Sequence, residues 1–140
     1  MIEIDVRRTV PAPADDVWNA LRSFEGIENW LPVITRSEVR GEGAGATRVC
    51  TMTDGGQLRE RLEEVDDDQR RLTYTIEEAP MPVQDYRSTM QVVPEGDSAS
   101  TVVWAAQFGA PEGAADELES TMRTVYESGL DGLRAWFTRP

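Results

Sequence analysis

The sequence predicts an α+β fold in which a curved antiparallel sheet covers one long C-terminal helix. Between positions 35 and 108, apolar and polar side chains alternate in short runs separated by turn residues, as they do in half-buried antiparallel strands. From Glu112 to Phe137 the apolar residues recur every three or four positions instead, which indicates a helix of about seven turns. Helices grouped at the ends of a run of strands favour α+β over a doubly wound sheet.

The first 32 residues predict one strand and two short helices. Alternation makes Ile2 to Val10 a strand, and two prolines follow it. Asp15 begins a short helix at the end where the helix dipole favours carboxylates. Gly26 interrupts the pattern, and a second short helix from Ile27 onward ends before a proline.

Six further strands are expected in the middle of the chain. Asp54-Gly55-Gly56 is a strong hairpin signal between two of them. The strands are predicted at positions 37–40, 46–53, 57–65, 71–77, 86–93 and 101–108. Their short connections make them antiparallel, and one face of the sheet must cover the apolar stripe of the long helix.

Alternation also predicts which side chains face the helix. In the strand 57–65 the inward set includes Glu60, flanked by two leucines. In the strand 46–53 two registers remain open, with either Val49 or Arg48 pointing inward. Elsewhere the inward residues are Leu72, Tyr74, Ile76, Tyr86, Ser88, Met90, Val92, Val102, Trp104, Ala106 and Phe108.

Composition limits the classes of function. The 140 residues suit one domain, 1–140, and no repeat or linker divides them. Cys50 is the single cysteine, so no internal disulfide can form, and we expect a cytoplasmic location. No apolar run is long enough to span a bilayer, so membrane insertion is not expected. Either a monomer or a homodimer is compatible with the sequence.

Charge argues against several partners. Fourteen basic and twenty-six acidic residues give a net charge of −12, which disfavours nucleic acid and anionic membranes. All the basic residues are arginine, which fits either coding bias or adaptation to high salt. Histidine is absent, so the commonest general base and metal ligand are missing. We expect no metal and no cofactor, since no glycine-rich phosphate loop is present either.

Several motifs carry a resemblance to a known family. They are Val17-Trp18, Trp30-Leu31-Pro32, Gly45-Ala46-Thr47-Arg48 and Glu60-Arg61-Leu62, followed by the apolar closing helix. In order and spacing the chain resembles the START-like (SRPBCC) helix-grip superfamily, in its polyketide cyclase/dehydrase and lipid-transport branch. The resemblance implies a bent seven-stranded sheet gripping the last helix, with a ligand cavity between them. It also favours the register in which Arg48, Cys50 and Met52 point inward.

Glu60 is the leading candidate for a functional residue. An ionised carboxylate on an apolar face costs several kcal/mol unless it finds a partner or water. Arg48 on the neighbouring strand is the natural partner, since its forked guanidinium can hold a carboxylate and still offer a donor. A buried structural pair in a filled core is the alternative. The expected ligand-binding residues are Arg48, Cys50, Met52, Glu60, Leu62, Tyr74, Tyr86, Ser88, Met90, Trp104, Phe108, Met122, Val125, Gly129 and Leu133.

Two functions from different classes remain open. The first is binding or transport of a hydrophobic small molecule such as a lipid, quinone or polyketide. The second is an aromatase/cyclase without cofactor, in which Arg48 polarises a carbonyl, Tyr74 or Tyr86 donates a proton and Glu60 is the base. An interaction protein without a ligand is a third possibility. The sequence leaves open whether the chain is an enzyme.

Two loops and two glycines of the long helix give further predictions. Asp54-Gly55-Gly56 and Met81-Pro82-Val83 occupy the places of the gate and latch loops in plant abscisic acid receptors of this superfamily. The gate and latch sequences themselves are missing, so a receptor role is not implied, and mobile entrance loops and simple turns both remain open. Gly129 and Gly132 lie inside the long helix, where they allow close approach of either a strand or a ligand.

Overall fold

Seven antiparallel strands form one open sheet in the computed structural model, which describes residues 1–139. The strands are β1 (Ile2–Val10), β2 (Ile34–Arg40), β3 (Thr47–Met52), β4 (Gln57–Asp66), β5 (Arg71–Glu78), β6 (Gln84–Pro94) and β7 (Ser100–Gly109). Their order across the sheet is β1-β7-β6-β5-β4-β3-β2, so the first strand pairs with the last. The predicted α+β helix-grip fold is confirmed. Most strand ends agree within two residues, but β2 begins three residues before its predicted start.

The segment between β1 and β2 contains one α-helix and one shorter turn. The helix α1 spans Ala14–Arg22, with Asp15 and Asp16 in its first turn as expected. The second predicted helix is reduced to a single 3-10 turn at Ile27–Asn29. Gly26, with a φ of 77°, and Pro32 bound this segment so closely that a longer helix has no room.

The C-terminal helix α2 spans Ala115–Thr138 rather than 112–137. It begins three residues late because Gly113, with a φ of 84°, turns the chain before the first helical residue. Its buried face comprises Leu118, Met122, Tyr126, Gly129, Leu130 and Leu133. Val125 and Trp136, which the predicted stripe included, are half-buried, because the buried stripe runs through their neighbours on the helix surface.

The two helix glycines allow α2 to pack closely against the segment that follows the 3-10 turn. A Cβ atom at Gly132 would overlap the backbone carbonyl of Trp30. One at Gly129 would lie 2.8 Å from side-chain atoms of both Leu31 and Trp104. Close packing therefore explains both glycines, although the main neighbour is an irregular segment rather than a strand.

The edge strand β1 is the strand whose backbone lies nearest α2. Arg8 of β1 forms an ion pair with the helix. The Nε of Arg8 is 3.0 Å from a carboxylate oxygen of Asp131. No helix in residues 1–139 is long and apolar enough to cross a membrane.

Candidate functional site

Arg48 and Glu60 form a buried ion pair on the concave face of the sheet. They are directly opposite residues on the antiparallel pair β3 and β4, so the hairpin places them side by side. The Nε of Arg48 donates to Oε1 of Glu60 at 2.8 Å, and the two side chains are only 6% and 5% exposed. The Cys50 thiol donates to the same oxygen at 3.3 Å. The inward register of β3 is therefore the one that includes Arg48 and Cys50.

Phe24 packs against the Arg48 guanidinium. Its ring centroid lies 3.6 Å from the guanidinium carbon, and its carbonyl oxygen accepts from Nη1 at 3.3 Å. Phe24 reaches this position with a φ of 66°, an uncommon conformation for a bulky residue. Burial lowers the pKa of Arg48, but Glu60, Cys50 and Tyr74 together outweigh burial, and the net shift is upward. The guanidinium therefore stays charged.

A cavity of about 50 Å³ lies between the sheet and α2, next to Glu60. Eight of the predicted ligand-binding residues line it: Cys50, Met52, Glu60, Tyr74, Tyr86, Trp104, Met122 and Val125. The other seven are buried but do not line it: Arg48, Leu62, Ser88, Met90, Phe108, Gly129 and Leu133. A cavity of this size holds a few water molecules, whereas ligand pockets usually measure about 300 to 1,000 Å³.

Eight further lining residues were missing from the predicted site. They are Ile27, Leu31, Val33, Ile34, Leu58, Ile76, Met81 and Tyr126. Leu58 and Ile76 belong to the inward faces that alternation gives, so the signal was present. Tyr126 lies one turn after Met122, and helical spacing would have included it. Leu31, Val33 and Met81 come from irregular segments, and Ile27 and Ile34 are the first residues of the 3-10 turn and of β2, so none of them carries a periodic signal.

One oxygen of Glu60 faces this cavity. Oε1 accepts from both Arg48 and Cys50, whereas no residue between 1 and 139 donates to Oε2. No fully buried side-chain nitrogen or oxygen in that part of the chain lacks a partner, so Oε2 still has accessible space beside it. The carboxylate thus presents one free acceptor to the cavity.

A cluster of hydroxyl groups joins three tyrosines that line the cavity to the buried Ser88. The rings of Trp104 and Tyr126 stack with centroids 3.8 Å apart and planes 9° from parallel. The Tyr126 hydroxyl lies 2.8 Å from Oγ of Ser88 and also hydrogen-bonds the hydroxyl of Tyr86. Burial, and secondarily Glu60, raises the pKa of Tyr74, and burial also raises that of Tyr86. Both phenols therefore remain protonated.

The Cys50 thiol is also held in its protonated form. Burial, followed by the neighbouring Glu60 carboxylate, raises the pKa of Cys50 to about 12. A thiol is a nucleophile only when it is deprotonated, so Cys50 acts as an apolar wall and a hydrogen-bond donor.

Two loops meet beside the cavity. Gly56, in the β3–β4 turn, lies so close to the β5–β6 loop that a Cβ on it would be 3.3 Å from the ring of Pro80. Met81 of that loop reaches the cavity lining. The two loops therefore approach each other closely at the edge of the cavity.

The family described as polyketide cyclase/dehydrase and lipid transport matches residues 1–137. The chain belongs to this family. Its fold and the position of its cavity are those that the resemblance implied.

Three similar proteins extend the comparison. Abscisic acid receptor PYL2 of Arabidopsis thaliana is 28% identical over 122 residues, which cover 80% of this chain. Those residues are 64% of the receptor, so the chain spans less than two thirds of its length. The structure of protein XoxI from Bacillus cereus is 30% identical, with a TM-score of 0.89 and coverage of 98% and 96% of the two chains. The structure of the Zhui aromatase/cyclase of Streptomyces is 20% identical, with a TM-score of 0.87 and coverage of 99% of this chain and 94% of the cyclase. At this identity the likeness shows the fold alone.

Proposed function

We propose that this chain, acting as a single domain, binds a small hydrophobic molecule such as a lipid, quinone or polyketide in the cavity between the sheet and α2. The observation that carries the proposal is the free oxygen of Glu60 inside an apolar cavity. A buried carboxylate oxygen without a hydrogen bond is costly, so water or a ligand must supply the missing donor. A filled structural core would gain nothing from keeping that oxygen open. Membership of a family described by lipid transport and polyketide chemistry supports the same function.

The cavity must enlarge before it can hold such a ligand. Its volume of about 50 Å³ suits a few water molecules, not a lipid. The contact between Gly56 and Pro80 joins two surface loops without a hydrogen-bonded ladder, and Met81 would move with its loop. We place the entrance there, since separating these loops breaks few contacts.

Native mass spectrometry of freshly purified protein tests the binding function. We expect a retained hydrophobic compound in the unmodified chain and its loss in Val125→Trp, which fills the cavity. Thr124→Trp is the matched control, because the neighbouring Thr124 is exposed on the same helix. Retention of the same compound by Val125→Trp would refute binding in this cavity.

Glu60→Gln tests the polar end of the site once a ligand is identified. Gln keeps an acceptor for Arg48 and nearly the same shape, so we expect the fold to persist while the affinity for the ligand changes. Circular dichroism checks the fold and calorimetry the affinity. An unchanged affinity would remove Glu60 from the binding site.

The second candidate function is an aromatase/cyclase, and the observation that favours it is that Glu60 and Tyr74 line one cavity. Glu60 would remove a proton between two carbonyl groups of a poly-β-keto chain. The resulting enolate carbon would attack another carbonyl of the chain and close the ring, and the new alkoxide would take the Tyr74 proton. Water would then leave as Glu60 returns its proton to the departing hydroxide and the Tyr74 phenolate takes a proton from the ring carbon, which forms the double bond and restores both residues. Arg48 does not line the cavity, so its role would be to hold Glu60 rather than to polarise the substrate.

Ring formation separates this function from simple binding. Product absorbance after incubation with a synthetic poly-β-ketone is the measurement. An enzyme would yield a cyclised aromatic product that Glu60→Gln fails to form, although that variant still binds the substrate. A binder would show no product above the rate without protein.

A further inference from the structure

Ser88 fixes the direction of the hydrogen bonds behind the cavity. Its hydroxyl donates to the carbonyl oxygen of Ala105 at 3.0 Å. A hydroxyl has one proton, so Ser88 must accept in its remaining contacts, which are the Tyr126 hydroxyl at 2.8 Å and Nε1 of Trp104 at 3.0 Å. Tyr126 therefore donates its hydroxyl proton to Ser88.

The same reasoning assigns the remaining two phenols. Because Tyr126 donates to Ser88, it accepts from Tyr86, whose proton is then also used. Tyr74 accepts from Nε1 of Trp104 at 3.2 Å. Its own proton makes no well-aligned hydrogen bond in residues 1–139, and the hydroxyls of Ser88 and Tyr86 are only weak partners, so a ligand can take this proton in their place. Tyr74 is thus the one phenol in the cavity wall with a proton to offer a ligand.

The cavity therefore presents one free donor, the Tyr74 hydroxyl, and one free acceptor, Oε2 of Glu60. Glu60 is the one charged residue among those that line it. The charge of Arg48 is already engaged by Glu60 and by the carbonyl of Phe24. A carboxylate ligand would place a second negative charge beside Glu60 with no cation to balance it.

Resting on the proposed binding function, we infer that this cavity selects neutral ligands whose polar end both accepts from Tyr74 and donates to Glu60. A hydroxyl, phenol or enol meets this requirement with a single oxygen. An ether or ester can accept but leaves Glu60 without a donor, and a carboxylate is repelled.

Three naphthalene probes of nearly equal apolar area test this selectivity at neutral pH by isothermal titration calorimetry. They are 2-naphthol, which donates and accepts, 2-methoxynaphthalene, which only accepts, and the anion 2-naphthoate. We expect 2-naphthol to bind roughly tenfold more tightly than 2-methoxynaphthalene, since one hydrogen bond to a charged group is lost. We expect 2-naphthoate to bind at least about a hundredfold more weakly than 2-naphthol.

Tyr74→Phe tests the donor. It should weaken 2-naphthol binding by roughly five- to tenfold. Thr73→Val is the matched control, because it removes a hydroxyl from the adjacent residue of β5, whose side chain points to the other face of the sheet. This control should stay within about twofold of the unmodified chain. If Tyr74→Phe does not fold, the three probes on the unmodified chain still decide the selectivity.

The outcomes separate this inference from the binding function itself. Equal affinity for all three probes, or tighter binding of 2-naphthoate, would overturn the selectivity and leave binding in place. A preference for 2-naphthol that Tyr74→Phe does not change would overturn the assignment of Tyr74. Binding of none of the probes would overturn the proposed function, and the selectivity with it.

Discussion

Gly132 is the position at which a substitution that normally stabilises a helix should destabilise this chain. In a helix interior, Gly→Ala usually gains about 1 kcal/mol. Here the added Cβ would overlap the carbonyl oxygen of Trp30 and lie 3.0 Å from its carbonyl carbon. The obstacle is backbone, so it cannot rotate away, and overpacking of this kind costs up to about 3 kcal/mol. We expect a net loss of about 1 to 2 kcal/mol.

Thermal and urea denaturation of Gly132→Ala measure this loss. At this chain length, it corresponds to a melting temperature roughly 3 to 8 °C lower. Gly129→Ala should lose less, because its Cβ meets the ends of the Leu31 and Trp104 side chains, which can shift. Thr124→Ala, at an exposed site of the same helix, should match or slightly exceed the unmodified chain. A Gly132→Ala variant that is more stable than the unmodified chain would refute the close approach of α2 to Trp30.

The other predictions concern buried polar groups, and urea denaturation measures each of them. Arg48→Met should lower the free energy of unfolding by about 3 to 5 kcal/mol, because Glu60 becomes a buried charge without its partner. The double variant Arg48→Met/Glu60→Leu should lose less, and an equal loss would contradict this account. Tyr126→Phe should cost about 1 to 3 kcal/mol, since it breaks two buried hydrogen bonds, and an unchanged stability would speak against the hydroxyl network. Above pH 9 stability should fall as pH rises, because the Cys50 thiol titrates near pH 12 in the folded chain and near pH 9 when exposed, so the unfolded chain loses its proton first. The fall should be shallower in Cys50→Ala, and identical slopes would exclude the thiol as a cause.

Much of the fold could be predicted from local patterns. Period-two alternation identified the strands because each one buries a single face, and the hairpin through Asp54-Gly55-Gly56 fixed which strand lies beside which. The pairing of Arg48 with Glu60 follows from that hairpin and from the cost of an unpaired buried charge. The inward register of β3 needed the family resemblance as well, since the apolar pattern of that strand was ambiguous.

The ligand-binding residues were harder to predict, and their assignment remains a prediction. Alternation shows that a side chain points inward, but not whether it meets a cavity or another side chain. Ser88 and Phe108 point inward and are fully buried, yet neither lines the cavity. Tyr126 follows Met122 by one helical turn, so spacing places it on the same face, but only packing shows that it meets the cavity.

The sequence by itself determined the α+β architecture, the direction in which most strand side chains point and the presence of a carboxylate on the apolar face. Tertiary structure decided what surrounds that carboxylate. Phe24 caps Arg48 from the end of α1, and Trp30 meets Gly132 from an irregular segment. These contacts join segments far apart in the chain that have no repeating pattern. Their geometry therefore appears only when the sheet, the turn and α2 are packed together, and it sets both the size of the cavity and which of its polar groups are free.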